Sequence, residues 1–432
     1  MRHRFILIIC LLGLASWSLY GQQDHADHEG DHSGTEMTHQ ADGHADNGHE
    51  AEGDHGEEGH DGHGGEYDPT GVAFHHVSDQ NIYSIGPWAI PLPCILYAPE
   101  EGWTVMSSSV FEVGHHGIGH KSYNKYVLYE GMVRRIVDPS FPSEQVAVDL
   151  HHRQVTGEDG KESEEVYAVY NGKEYVADAK STMDGGLLGG GITSFYDFSV
   201  TKNVVSMLLM LLFMGWIFFK IARAYREREG MAPKGIQSFM EPIFLFIQDE
   251  VAKPFLGHKW KQYLPFLLSL FFFILSLNLF GQIPFLGSAN ATGNLSVTMA
   301  LAIFTFLVVN LSGNWHYWQH VIWMPGAPAP IKLLVLTPVE IMGLFIKPLT
   351  LMLRLFANIT AGHMVILSFI GLIFIFGQSG ENIPGTMVGT VMAVPLTLFM
   401  MAIELLVAFV QAFVFTILTA SYIGAAVEEH HH

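Results

Sequence analysis

The segment LRLFANITAGHM, Leu353–Met364, decides how this chain is interpreted, because it carries polar side chains inside one of the most apolar parts of the sequence. Apolar residues flank it over many positions on both sides, yet it contains Arg354, Asn358 and His363. A charged side chain at the centre of a bilayer costs about 3 kcal/mol on insertion scales, and more in simulations. An arginine kept at this depth predicts a function that depends on its charge.

The surrounding run is one of two apolar segments that are longer than a membrane crossing requires. The first, Ile331–Phe376, has 46 residues, and the second, Thr386–Glu428, has 43. As continuous helices rising about 1.5 Å per residue, both would exceed about 60 Å, whereas the hydrocarbon core is about 30 Å thick. We therefore expect tilted, kinked or partly external helices, with kinks at Pro338, Pro348 or Pro395.

The two long segments also carry polar side chains within their apolar runs. The candidates are Glu340, Lys347, Arg354, His363, Glu404 and Gln411. In an antiparallel hairpin, facing residues have numbers with a constant sum. Arg354 and Gln411 satisfy this rule for a turn near residue 383. His363 and Glu404 satisfy it for the same turn, inside SGENIPG (residues 379–385), so turn chemistry and polar spacing predict one register.

The faces of the first segment divide its polar residues into two groups. Arg354 and Asn358 are four residues apart and share a helix face. His363 is nine residues after Arg354, about half a turn away around an ideal helix. Either Gly362 marks a distortion, or the two residues serve different surfaces. We favour the second interpretation, in which Arg354 faces a partner and His363 lines a water-filled cavity.

The residue types in this hairpin indicate proton or ion transfer. Histidine and glutamate take up and release protons near neutral pH when their surroundings tune them, whereas arginine remains charged. Glu404 and Gln411 are seven residues apart, on one face of the second segment. The alternative is that Arg354 and Glu404 form a buried ion pair of purely structural value, but the hairpin carries more polar groups than such packing needs.

The composition places the chain among membrane proteins and divides it into two halves. Of 432 residues, 49% are apolar and 15% are charged, with a mean hydropathy of +0.26. The formal net charge of -20 belongs to the N-terminal half, since residues 22–66 hold 14 acidic residues and neither lysine nor arginine. No basic patch stands out, so a nucleic-acid partner is not expected.

The N-terminal residues 1–21 are predicted to be a secretory signal peptide. Two arginines precede the apolar core Phe5–Leu19, and cleavage is expected near Gly21. The alternative is an uncleaved anchor helix, since the residues before Gly21 make a poor cleavage site. Cleavage would leave Cys94 as the single cysteine, without an internal disulfide.

Residues 22–66 form a tether of His, Asp, Glu and Gly that we expect to be disordered, because it has almost nothing apolar with which to build a core. Its nine histidines could hold Zn²⁺ or Cu²⁺ loosely. A solvated acidic tether explains the same composition without metal, and no fixed ligand geometry is implied.

Residues 67–190 are predicted to form a small β-rich extracytoplasmic domain. The segment EEVYAVYNGKEYVADA has β-forming residues on both sides of Asn171-Gly172, a preferred two-residue hairpin turn. Several histidines of this region are metal-ligand candidates, although we favour loop positions for them: His75, His76, His115, His116 and His120. The glycine-rich segment Gly185–Gly191 is predicted to be a flexible joint.

From Val200 onward the sequence predicts membrane helices. Val200–Ala222, Tyr263–Ile283 and Leu295–Leu311 are each apolar and close to the length of about 20 residues that a crossing needs. Ile236–Gly257 mixes apolar and charged residues at helical spacing, so we expect a surface amphipathic helix. The segment NWHYWQHVIWMPGAPAP, residues 314–330, is predicted to be an interfacial aromatic loop.

The charge that follows the first crossing predicts its orientation. Four basic residues stand at the end of that segment: Lys220, Arg223, Arg226 and Arg228. By the positive-inside rule this end is cytoplasmic. A signal peptide independently puts the preceding domain outside the membrane, so the two inferences agree.

At these motifs the chain resembles subunit a of the F-type ATP synthase membrane sector. PVEIMGLFIKPLTLMLRLFANITAGHM (residues 338–364) and IELLVAFVQAFVFTILTASYIGAAVEEH (residues 403–430) are closely similar to that family, and LNLFGQIP and NLSVTMALAIFTF also match. The resemblance covers about residues 200–429. It implies a subunit that offers two offset half-channels to a rotating ring of c subunits.

The resemblance implies a role for each polar position of the hairpin. Arg354 matches the essential arginine beside the ring, Asn358 the asparagine one turn on, and Gln411 the glutamine opposite. His363 and Glu404 match a coupled pair of the outer access channel, which one branch of the family carries in the opposite order. Glu340 matches an acidic position toward the cytoplasmic exit.

Together these observations predict an all-α polytopic membrane protein, with about five transmembrane or tilted helices, a surface amphipathic helix and a small β-rich extracytoplasmic domain. The resemblance implies a multi-pass protein of the bacterial cytoplasmic membrane with its C terminus in the cytoplasm. The expected partners are the c-subunit ring, the b subunits, the rest of the complex and the lipid bilayer. No GxxxxGK[ST] nucleotide loop occurs, so we expect no catalytic site of its own and no cofactor.

Two other classes of protein fit the sequence less well. A histidine-rich metal-ion transporter would carry ligand clusters of His, Asp or Glu inside several spans, and the spans 200–222, 263–283 and 295–311 contain none. A metal-binding outer module fused to a membrane anchor would leave the polar register of the hairpin without an explanation.

Overall fold

Strands occupy the N-terminal part of the described chain and helices occupy the rest. The computed structural model describes residues 78–428 apart from 86–87, 115–116, 157–161, 180–193, 284–289, 323–335 and 379–381. The predicted signal peptide, tether and glycine-rich joint lie outside the described residues. So do four of the candidate histidines, His75, His76, His115 and His116.

The β-rich part contains a five-stranded antiparallel sheet, a three-stranded sheet and two strand pairs. The strands are β1 (Ile82–Ile85), β2 (Trp88–Pro91), β3 (Pro93–Ala98), β4 (Gly102–Ser107), β5 (Lys121–Ser122), β6 (Tyr126–Tyr129), β7 (Met132–Ile136), β8 (Val146–Ala147), β9 (Asp149–Thr156), β10 (Glu162–Tyr170), β11 (Lys173–Asp178) and β12 (Tyr196–Asp197). The large sheet has the order β6-β7-β11-β10-β9, and the smaller has the order β12-β3-β4. The predicted β-rich region is thus confirmed.

The turn between β10 and β11 is the predicted Asn171-Gly172 hairpin. Both residues have positive φ, 50° for Asn171 and 76° for Gly172, as a type I′ turn requires. Tyr170 pairs with Lys173 directly across the turn. Asparagine and glycine tolerate this left-handed conformation, so this stretch of sequence fixes both the turn and the register of two strands.

Among the described residues, five helical runs are long and apolar enough to cross a membrane. The helices are α1 (Lys202–Glu227), α2 (Ile236–Phe246), α3 (Lys253–Leu256), α4 (Trp260–Gly281), α5 (Leu295–Ser312), α6 (Trp315–Ile322), α7 (Thr337–Gly377) and α8 (Ile383–Val427). The crossing runs are α1, α5, α7, α8 and the combined segment Ile236–Gly281. The predicted helical class and the number of spans are therefore confirmed.

The predicted surface helix is built from three pieces. A π-helical turn, Ile247–Ala252, joins α2 to α3, and Gly257 (φ 52°) follows α3 before α4 begins. Ile247 and Val251 are fully buried in the main hydrophobic cluster. The segment thus packs one side firmly against the other helices.

Two details of the helical half differ from the sequence predictions. The aromatic segment predicted to be a loop contains a helix, α6, because eight consecutive residues there carry neither proline nor glycine. The predicted turn at residues 379–385 is shorter, since α8 begins at Ile383. Pro384 is favoured in a first helical turn, and the Asn382 side chain accepts a hydrogen bond from the Gly385 amide at 3.1 Å.

The helices α7 and α8 form a long antiparallel hairpin. With 41 and 45 residues, they would measure about 60 Å and 67 Å as straight helices, so the predicted excess over the membrane thickness remains. The two helices approach each other closely at Gly389 of α8, which has no side chain. A Cβ on Gly389 would lie 3.1 Å from the Leu372 carbonyl oxygen.

The β-rich part is hydrogen-bonded to the start of α1. The Lys202 amide donates to the Gln80 carbonyl at 2.9 Å, and the Val200 amide to the Pro93 carbonyl at 3.1 Å. The Asn203 amide donates to Asp79 Oδ1 at 3.2 Å. Lys202 and Asn203 are buried, so the first turn of α1 is held within the β-rich part.

Candidate functional site

The site begins with a contact between the two long helices. His363 Nδ1 of α7 lies 3.3 Å from Glu404 Oε1 of α8, and the Glu404 side chain is only 4% exposed. The His363 side chain is 17% exposed. The structure thus brings together the two residues that the hairpin register paired, at ion-pair distance, although Glu404 Oε1 accepts no hydrogen bond from the described residues.

A glycine makes room for this contact. A Cβ on Gly362 would lie 3.1 Å from Glu404 Oε1, closer than side chains normally approach. Sequence reasoning noted Gly362 only as a point of distortion, because a glycine in an apolar helix gives no direct indication of what it faces. The structure indicates that its missing side chain lets the carboxylate reach α7.

Arg354 lies nine residues before His363 on α7 and is partly exposed. Leu351 and Leu355 beside it are buried in the main cluster, whereas Leu353 is 46% exposed on the other side. The side chain therefore emerges at the border between the packed face and the open face of the hairpin.

Asn358 and Gln411, the predicted polar neighbours of this arginine, lie on the same two helices as the rest of the site. Asn358 is exposed on α7, and Gln411 is 7% exposed on α8. Within the described part of the chain, neither side chain forms a hydrogen bond with Arg354. Arg354 also makes no ion pair with Glu404 there, because the Glu404 partner is His363. The alternative of a structural Arg354–Glu404 pair is thus wrong.

A second polar group of residues lies on the other side of Arg354, away from the turn. Lys347 Nζ is 5.4 Å from the centre of the Tyr422 ring, within cation–π range. Both residues line a small cavity of about 20 Å³ between α5, α6, α7 and α8. The residues around it also include Thr305, Asn310 and Tyr317, although apolar atoms form the cavity wall itself.

The charge of Glu340 reaches Tyr317 at the edge of this cavity. The Tyr317 hydroxyl donates to Asn310 Oδ1 at 3.2 Å, and burial, followed by the negative charge of Glu340, raises the pKa of Tyr317. Sequence reasoning missed Tyr317 and Tyr422 as site residues. The available signal was the hairpin register, because Tyr422 faces Lys347 in nearly the same register as the other two pairs.

The helix that carries Glu404 is also fixed from behind by α4. Asn278, 2% exposed, donates from Nδ2 to the Ala408 carbonyl at 3.1 Å. Ala408 is one turn beyond Glu404, so this bond sets the position of α8 where the carboxylate meets His363. Asn278 Oδ1 is buried without a hydrogen-bond partner.

The metal-ligand candidates do not assemble in the part of the chain that the structure describes. Among those residues, no group of three or more His, Cys, Asp or Glu side chains is arranged to hold a metal ion. His120 is the one candidate histidine of the β-rich part within the described ranges, and it belongs to no such group.

The fold and the site together define a class: a multi-pass membrane protein whose longest helical hairpin carries proton-exchanging and charged side chains at several depths. Residues 204–424 match the model of the family described as "ATP synthase A chain". The chain belongs to this family. Residues 72–150 match a second model, described as "Domain of unknown function (DUF8433)".

Curated relatives lead to the same family. The chain is 42% identical to "ATP synthase subunit a" of Chloroherpeton thalassium over 243 residues, which is 55% of this chain and 69% of the relative. Subunits a of Anaeromyxobacter dehalogenans 2CP-C and Myxococcus xanthus are 35% and 38% identical, over 68% and 59% of this chain and 79% and 81% of their own lengths.

The predicted family is therefore confirmed, and the alternative of a metal-ion transporter has no support. The chain is an ion-translocating membrane subunit of the H⁺-transporting ATP synthase complex. Its partners include other subunits of that complex. Membership does not by itself assign a role to any one side chain.

Proposed function

We propose that the α7–α8 hairpin carries protons between the two sides of the membrane and the c-subunit ring, with Arg354 as the fixed charge between two access paths. One observation carries the proposal: polar pairs lie on both sides of Arg354 along the same hairpin. His363 and Glu404 meet on the side nearer the turn. Lys347 and Tyr422 meet on the other side.

The outer access path is assigned to His363 and Glu404. Imidazole and carboxylate groups both exchange protons near neutral pH when their surroundings tune them. The two groups lie 3.3 Å apart, so a proton taken up by one would reach the other after a small side-chain rotation or through one water molecule. The exposed part of His363 leaves this pair accessible from one side.

The inner path is assigned to Glu340 and the cavity beyond Arg354. Glu340 acts on Tyr317, which is hydrogen-bonded to Asn310 at the cavity wall. Lys347 makes this cavity positive, which favours the ionised form of a nearby acid and therefore the departure of its proton. Protons would leave here toward the cytoplasm.

Arg354 keeps the two paths separate and gives transport its direction. A ring carboxylate arriving from lipid is neutral, and the positive charge of Arg354 stabilises its ionised form in a poorly screened site. The carboxylate therefore releases its proton to the inner path and takes up another from the outer path. Asn358 and Gln411 flank the arginine as polar neighbours that can hydrogen-bond to it or to the ring.

The exposed surface of the hairpin supports the proposal that this hairpin faces the c-subunit ring. The side chains on the open face are apolar and exposed, including Phe345 (62%) and Leu349 (50%) before the arginine and Leu406 (63%) on α8. Such a face suits the apolar helices of a c ring or lipid. We further propose that the β-rich part is extracytoplasmic, that the C terminus is cytoplasmic, and that the b subunits contact other helices.

The test replaces Arg354 in the assembled complex. Arg354→Ala should reduce ATP synthesis in energised vesicles to background while proton leak through the membrane sector persists. Arg354→Lys should also fail, since lysine lacks the planar, permanently charged guanidinium. Thr350→Ala, one turn away, removes only a bond to its own helix and should leave synthesis near normal. Near-normal synthesis in Arg354→Ala would overturn the proposal.

A further inference from the structure

The three-stranded sheet β12-β3-β4 carries apolar side chains on both faces. Its inner face packs Cys94, Leu96 and Met106 into a hydrophobic core. By the alternation of side chains along each strand, the opposite face is formed by Pro93, Ile95, Tyr97, Trp103, Val105, Ser107, Tyr196 and Phe198. No charged side chain occurs in this set, which we call the aromatic face. A sheet face in contact with water normally carries polar residues.

Aromatic rings form a continuous layer across this face. The ring centres of Tyr97 and Trp103 are 5.0 Å apart, those of Trp103 and Phe198 are 5.5 Å apart, and those of Tyr97 and Tyr196 are 6.5 Å apart. Trp103 is nevertheless 62% exposed and Val105 is 70% exposed. Contiguous exposed apolar surface of this kind marks an interaction site for protein, ligand or membrane.

The aromatic face is close to the point where the chain enters the membrane. Phe198 precedes the start of α1 by four residues, a distance that even an extended chain limits to about 14 Å. The segment between β12 and α1 is held in place by two backbone hydrogen bonds. The Phe198 amide donates to the Ile95 carbonyl at 2.8 Å, and the Val200 amide donates to the Pro93 carbonyl at 3.1 Å. The sheet is therefore held at the end of α1.

The length of α1 indicates where the residues just before it, Tyr196 and Phe198, lie relative to the bilayer. Near its other end, Trp216 is 50% exposed, and Lys220 Nζ lies 3.9 Å from the centre of its ring, a pairing typical of a membrane boundary. A hydrocarbon core of about 30 Å corresponds to about 20 helical residues. Counting back from Lys220 puts the opposite boundary near Val200, so Tyr196 and Phe198 fall within the interfacial layer.

We propose that the aromatic face of β12-β3-β4 is seated in the lipid headgroup layer at the N-terminal end of α1. Tyrosine and tryptophan are enriched in that layer, because their rings are apolar and their polar atoms reach water or headgroups. The absence of charge on the face suits a lipid boundary better than a charged protein partner. This contact with the headgroup layer would hold the β-rich part against the membrane surface instead of leaving it free in solution.

The experiment uses a fluorescent probe on the aromatic face of the full chain. In a Cys10→Ser, Cys94→Ala background, Val105→Cys is labelled with an environment-sensitive fluorophore and the complex is reconstituted in phosphatidylcholine vesicles. Val176→Cys is the matched control, since Val176 is an exposed valine (45%) on β11 of the other sheet. Unchanged ATP synthesis in both variants shows that the complex is intact.

Quenching by lipids with a spin label near the headgroup, and by aqueous iodide, measures the position of each probe. We expect the probe at position 105 to be quenched several-fold more by the lipids, and several-fold less by iodide, than the probe at position 176. Equal quenching at the two positions would overturn the proposal. Protection of position 105 from both quenchers would also overturn it, because protein would then cover the face.

Discussion

At the scale of single residues, the contact between His363 and Glu404 is the most informative feature. Exchanging them, with His363→Glu and Glu404→His together, keeps one imidazole and one carboxylate at the same interface. We expect the double exchange to retain more ATP-driven proton pumping than either single change, because each single change leaves two like groups. Pumping by inverted vesicles measures this, with immunoblots to correct for assembly. A double variant no better than the worse single variant would contradict the pairing.

Cys94 gives a second prediction at this scale. Its thiol is fully buried, and burial together with the negative charge of Asp197 raises the pKa to about 12. The reactive thiolate is therefore very scarce below that pH in the folded protein, whereas an unfolded chain has an ordinary thiol. In a Cys10→Ser background at pH 8, a maleimide should label the denatured chain within minutes and the native chain hardly at all. Rapid labelling of native protein would contradict the burial.

Much of the candidate site was predictable from residue numbers alone. The constant sum of facing positions paired His363 with Glu404 because the turn was recognisable from its glycine and proline. Tyr422 could not be found in the same way, since a tyrosine in an apolar helix is equally well explained by an interfacial position. The part played by Gly362 depends on the distance between two helices, which no local pattern contains.

At the scale of the elements, glycines decide how closely α8 packs. A Cβ on Gly424 would lie 2.2 Å from the Phe255 carbonyl of α3, whereas a Cβ on Gly343 of α7 would meet nothing within 4 Å. Gly343→Ala should therefore stabilise the protein by up to about 1 kcal/mol through helix propensity. Gly424→Ala, the same chemical change, should lower the melting temperature by several degrees because α8 must move away from α3.

Thermal unfolding of the purified protein in detergent compares the two alanine variants. The contrast between them matters more than either value, since detergent affects both alike. Equal melting temperatures would show that the end of α8 is not packed against α3 as the structure has it.

The elements were predictable where the sequence pattern has one explanation. Long apolar runs gave the five crossing segments, and Asn171-Gly172 gave a hairpin turn. The helix α6 was missed because its aromatic residues and the prolines after it are also typical of an interfacial loop. The π-helical turn Ile247–Ala252 has no sequence signature, since it depends on how Ile247 and Val251 both reach the core.

At the scale of the whole molecule, the direction of insertion is a prediction. The basic residues after the first crossing favour a cytoplasmic loop there. Because Cys94 is buried, introduced cysteines are needed in a background without Cys10 and Cys94. We expect an impermeant maleimide to label Glu100→Cys in intact cells with a permeabilised outer layer, and to label Glu229→Cys only after lysis. Both positions are exposed. The reverse pattern would contradict the orientation.

The contact of His363 with Glu404 across two helices has an evolutionary consequence. The two residues are encoded far apart, so a lineage that reverses their order must change one before the other. A Glu–Glu intermediate would put two carboxylates about as close as the present pair, where like charges repel. A His–His intermediate avoids that repulsion and still exchanges protons. Reversal should therefore proceed by way of two histidines, and ancestral reconstructions along such a lineage should contain that state.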